Sequence, residues 1–239
     1  MALDIDETLT LLYYAGYLTM TSVCCFLAML ILVLICVKPD GDRIKIPNRE
    51  VMNDWAQWIV NNVGDEGDDL GTNKDIADEC VKGPVNNFQQ RWPDFMQHHL
   101  SPKSVAKDRS AISPKTPERI YQVFLFALML CLGLKGWEVT IEEPAGEGYA
   151  DVRLVSKKKS AVLIEVKSSE KAADIQKDAK LGLKQIEAKN YRNGEGLQGV
   201  RVLREYGIGY YHLESHVEGQ YLELNTQGCW EKKVDPGTL

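Results

Sequence analysis

The second half of this 239-residue chain predicts an α/β fold built on a mixed β-sheet. Three observations predict it. Thr116-Pro117-Glu118 opens a helix that runs to about Lys135, with Thr116 as N-cap and Pro117 at the first helical position. Strand segments follow at Trp137–Ile141, Tyr149–Val155 and Ala161–Lys167, the last two joined by the polar turn Ser156–Ser160. A second helix over about Lys171–Tyr191 then precedes apolar strand segments near Tyr206–Leu213 and Gln220–Leu224.

The hairpin carries the chemistry. Asp151 and Glu165 each lie seven residues from Lys158. A hairpin folded about that lysine therefore sets the two acids opposite each other, roughly 5 Å apart at Cβ if they share a face. Lys167 points the same way as Glu165, because side chains alternate along a strand. Val162, Ile164 and Val166 are expected to be buried. Two carboxylates and an ammonium converging in a buried hairpin are costly without a ligand, and they fit a divalent metal site. The same residues also fit a solvated sheet edge.

The order of helix, strand, Asp-bearing strand, Glu-x-Lys strand, helix and strand resembles the PD-(D/E)XK nuclease superfamily. The residues that carry the resemblance are ERIYQVFLFALML, GWEVTIEEPAGEGYADVRLV, AVLIEVKSSE and QIEAKNY, spanning about Glu118–Leu224. More narrowly they are similar to the nuclease-like domain found at the C-terminus of AAA-ATPase-like proteins. The proline of the superfamily name is Ala150 here. The resemblance implies a restriction-endonuclease-like αβα core over residues 116–231, preceded by a mainly helical N-terminal segment. It also implies a metal-dependent nuclease of DNA or RNA. Asp151 and Glu165, with the Val166 carbonyl, would hold Mg²⁺ or Mn²⁺, and Lys167 would position water or, crowded by that cation, titrate low enough to assist proton transfer. Glu118 matches the acid of the first helix, and equally suits the positive end of that helix. Gln185 matches a polar residue of the second helix, and equally reads as helix surface. The alternative is a nuclease-fold binding module without catalysis, tethered to a membrane through residues 17–37.

Composition sets the rest. The 44% hydrophobic and 26% charged content is that of an ordinary globular protein, and a net charge of −6 argues against a generally basic nucleic-acid coat. Positive charge is local, at Lys157–Lys159 and along the second helix at Lys171, Lys177, Lys180, Lys184 and Lys189. The six cysteines show no CxxC pair and suit reduced, intracellular thiols. His98, His99, His212 and His216 lack metal-type spacing. No GxxxxGK[ST] phosphate loop is present, so the chain carries no ATP site of its own.

The N-terminal part divides into residues 1–60, which resemble the end of an AAA-ATPase-like module, and a connector over 61–115. Leu11–Thr19 and Ile44–Val51 carry that resemblance, and an apolar block at 23–37 separates them. Tyr17–Val37 would measure about 31 Å as a helix, enough to cross a bilayer with the C-terminal domain in the cytosol. The preferred reading of residues 23–38 is a retained intron of 16 codons, which leaves a soluble protein when removed. An acidic start without a small-residue cleavage site argues against a signal peptide. Within the connector, Asn61–Asn73 reads as an acidic flexible loop, and residues 87–100 as a short amphipathic helix interrupted by Pro93.

Overall fold

The computed structural model describes residues 71–99 and 116–236. The expectations for residues 1–60, including the apolar block 23–37 and a span over 17–37, lie outside the described residues. Among the described residues no helix is long and apolar enough to cross a membrane.

Six strands form one mixed sheet in sequence order: β1 (Trp137–Ala145), β2 (Gly148–Ser156), β3 (Ser160–Ser168), β4 (Val202–Tyr211), β5 (Glu214–Leu224) and β6 (Trp230–Lys233). Neighbours are antiparallel except β3 and β4, which run parallel and need a crossover. Helix α4 (Ile175–Ala188) makes that crossover, flanked by short 3₁₀ turns at Ala172–Asp174 and Tyr191–Asn193. The other face carries α1 (Gly71–Lys82), α2 (Val85–His99) and α3 (Thr116–Met129), the last continued by a 3₁₀ stretch over Leu130–Lys135. This is the αβα arrangement expected from the sequence. The short edge strand β6 was not expected.

Strand alternation sorts the core into two halves. Val152, Leu154, Val162, Ile164, Val166, Tyr206, Ile208 and Tyr210 pack under α1–α3. Ala161, Leu163, Leu203 and Leu222 pack on the other side with Ile186 of α4 and Tyr191. The β2–β3 turn falls where expected: the Lys159 amide donates to the Ser156 carbonyl at 3.1 Å, and the Lys158 amide to Ser156 Oγ at 3.1 Å.

Residues 71–99 are more than a loop and a broken helix. Ile76, Ala77, Cys80 and Val81 of α1 and Val85, Phe88, Trp92, Phe95 and Met96 of α2 are buried in the larger core. Pro93 lies inside α2 without ending it. A helix-interior proline costs about 3 kcal/mol. Burying Phe88, Phe95 and Met96 contributes about 4.5–9 kcal/mol in total, so burial wins.

A buried arginine fastens this helix pair to the sheet. Arg204 of β4 donates to the carbonyls of Val81 (3.2 Å), Lys82 (3.3 Å) and Gly83 (3.2 Å), the unpaired carbonyls at the end of α1. Its guanidinium lies 3.6 Å from the Asp235 carboxylate and 5.1 Å from the centre of the Tyr221 ring. Asp235 in turn accepts the Val85 amide at 3.1 Å, at the start of α2.

Candidate active site

The site forms where β2 and β3 part. Their pairing runs from Val155↔Ala161 to Val152↔Ile164, a register whose next step sets Asp151 opposite Glu165. At that step the backbone ladder gives way to a side chain: Asp151 Oδ2 accepts the Val166 amide at 2.7 Å. The carbonyl of an extended residue points the same way as its N–H, so the Val166 carbonyl faces this opening too. Across β2, Glu142 of β1 adopts a left-handed backbone (φ 48°), rare for a non-glycine residue. There the β1–β2 hairpin changes the face it buries. Trp137, Val152 and Leu154 belong to the larger core, whereas Ala145 and Ala150 join the cluster around Tyr191.

The tip of that hairpin docks on the end of α4. Glu147 donates its amide to the Lys189 carbonyl at 2.8 Å. Gly146 has φ 52°, and a Cβ there would collide with the Lys189 and Asn190 carbonyls, so only glycine fits. Gly148 packs against the Tyr191 ring. Asp151 and Gln185, near the end of α4, are thereby both brought to Glu165.

Seven side chains meet around Glu165. Glu165 is 1% exposed, and its Oε1 accepts from Lys167 Nζ at 2.9 Å and from Gln185 Nε2. Its Oε2 is buried with no hydrogen-bond partner. Gln185 Nε2 also donates to the Tyr191 hydroxyl at 3.1 Å. Gln122 of α3 donates to Asp151 Oδ1 at 2.8 Å. One turn earlier, Glu118 Oε2 lies 3.4 Å from the Ser168 amide. Gln122, Asp151, Glu165 and Tyr191 are buried, whereas Glu118, Gln185 and Lys167, whose side chain is 24% exposed, keep some contact with solvent.

Burial dominates the electrostatics. It pushes the Asp151 carboxyl up to about 8, and the Glu165 charge adds to the rise, while the Val166 amide and Lys167 oppose it. Glu165 is likewise raised by burial, which outweighs its ion pair with Lys167. Burial pulls Lys167 down, but Glu165, Glu118 and Asp151 together outweigh it and leave the amine above its ordinary range. Three acids thus surround the amine.

Residues 116–215 match the family model of the PD-(D/E)XK nuclease superfamily. This stretch is a PD-(D/E)XK nuclease-superfamily domain. No curated protein matches the chain. Members of the superfamily generally use divalent metals.

The nuclease-superfamily domain brings Asp151, Glu165, Val166, Lys167, Glu118 and Gln185 to one place. Among the described residues no group of three or more His, Cys, Asp or Glu side chains is set to hold a metal ion. Two carboxylates are nonetheless crowded together with their protonated forms favoured, and Glu165 Oε2 is buried without a donor. A hard cation relieves both conditions, so the oxygen-rich donor set fits one. Gln122 and Tyr191 were not expected at the site. The signal for Gln122 was its position one helical turn after Glu118; that for Tyr191 was its place at the end of the QIEAKNY segment that begins with Gln185.

Proposed function

We propose that the chain is a divalent-cation-dependent nuclease that hydrolyses phosphodiester bonds in nucleic acid. The observation that carries this reading is the meeting of Asp151, Glu165 and Lys167 at the parting of β2 and β3. The Asp151 and Glu165 carboxylates, with the Val166 carbonyl, would hold Mg²⁺ or Mn²⁺. A bound divalent cation supplies Lewis acidity, which makes water more acidic and offsets negative charge growing on a phosphate. Lys167, held as an ammonium and partly exposed, orients the attacking water and stabilises that developing charge. Gln185 and Tyr191 steady Glu165, and Glu118 braces the end of β3 at Ser168. Residues 11–19 and 44–51 are read as the end of an AAA-ATPase-like module.

The test uses the full chain on labelled DNA and RNA, with Mg²⁺, Mn²⁺ or chelator. Cleavage is expected only with cation, reduced about 100-fold or more in Asp151→Asn and in Lys167→Ala. Cleavage that survives chelation or Asp151→Asn overturns the reading. Tight binding of nucleic acid without any cleavage favours a binding module in its place.

A further inference from the structure

Gln122 is buried to 6% exposure on α3, a helix whose neighbouring side chains Tyr121, Phe124 and Leu125 are core. An amide in such a place costs stability unless its polar atoms find partners. A leucine or methionine would fill the same volume without that cost. The Gln122 amide spends its donor on a single atom, Asp151 Oδ1, at 2.8 Å.

The other Asp151 oxygen is already taken, by the Val166 amide at 2.7 Å. Two donors, one on each oxygen, fix the plane of a carboxylate that would otherwise turn freely about its terminal bond. They also come from different elements, α3 and β3, so the carboxylate is held between helix and sheet. Glu118 lies one turn earlier on α3, with its Oε2 3.4 Å from the Ser168 amide. The edge of β3 that lost its β2 partners thus gains two side-chain braces, both governed by the first turns of α3.

We propose that Gln122 is a positioning residue: through its hydrogen bond it holds the Asp151 carboxylate in the orientation that receives the divalent cation. This rests on the nuclease reading, and the experiment separates the two. Mn²⁺ binding to the full chain is measured by calorimetry in the parent, in Gln122→Met, which keeps the volume and removes the donor, and in Gln122→His, which keeps an N–H donor. Metal-free melting temperature, kcat and KM for labelled nucleic acid are measured alongside.

The expected result is Mn²⁺ affinity about 10–100-fold weaker in Gln122→Met. Its kcat should fall with KM for nucleic acid unchanged, and Gln122→His should recover most of both losses. Gln122→Leu replaces the methionine variant if that variant does not melt cooperatively. A donor-less variant that binds Mn²⁺ as tightly as the parent, whatever its melting temperature, reduces Gln122 to a packing role and overturns the proposal alone. A parent chain that takes up no Mn²⁺ overturns the nuclease reading and the proposal together.

Discussion

Asp151 is buried beside a second acid, and its ionisation opposes folding when no cation is bound. Its folded-state pKa of about 8 lies above the ordinary value of 3.8, so folding favours the protonated form. That contribution to stability is whole below about pH 4 and is lost as pH rises through about 8. Glu165 is shifted in the same direction. In chelator, the melting temperature of the parent is therefore expected to fall between pH 5 and pH 8.5, and Asp151→Asn should flatten that fall. An equally steep profile in the variant refutes the assignment. The Asp151–Glu165 pairing was legible in the sequence because a hairpin's register follows from its turn, and the Ser156–Ser160 turn is marked by polar residues. The upward shift of Lys167 was legible only in part: Glu165, its main source, lies two residues away on the same strand, whereas Glu118 arrives from a helix some fifty residues away. Gln122 and Tyr191 escaped for the same reason: each reaches the site across elements.

At the scale of elements, α4 lies against the sheet backbone to backbone. A Cβ on Gly207 would collide with the Ala179 carbonyl and the Leu183 amide, and one on Gly182 would sit 3.2 Å from the Glu165 carbonyl. The glycine that permits this approach on β4 is thus what allows Gln185 to reach Glu165. Gly207→Ala is expected to push α4 outward at a cost of about 1–3 kcal/mol, as overpacking does. That loss corresponds to about 2–4 °C of melting temperature per kcal/mol in a domain of this size. Scanning calorimetry checks it, and an unchanged melting temperature would show that α4 has room to spare. Strands β1–β5 and both flanking helices were legible from apolar alternation and from Thr116-Pro117. The alternating glycines at 207 and 209 also carried a sign of close approach, because a glycine inside a strand gives up side-chain packing.

The whole molecule includes a layer that the sequence reading assigned to a connector. α1 looked polar because its apolar residues, Ile76, Ala77, Cys80 and Val81, occupy one narrow face, and Pro93 obscured the continuity of α2. In the fold, Phe88 packs against Tyr206 with ring centres 4.8 Å apart, and Trp92 Nε1 donates to the Tyr210 hydroxyl at 3.0 Å. A fragment of residues 110–239 would expose this aromatic face of the sheet. It is expected to bind a hydrophobic dye and to melt without a cooperative transition, whereas the full chain melts cooperatively. A cooperative transition in the fragment would show that α3 and α4 suffice.

The Arg204–Asp235 fastening also has a consequence for the order of events during synthesis. The bond between the Val85 amide and the Asp235 carboxylate spans 150 residues. At about 5–20 residues per second, translation separates its two ends by about 7–30 s. Until β4 is made, Phe88, Trp92, Phe95 and Met96 exist without the strand that carries Tyr206 and Tyr210, and the acid that secures the turn at Val85 comes later still. The newborn chain therefore carries an uncovered aromatic helix until its later strands are made, and its yield is expected to rise with chaperone supply and at lower growth temperature.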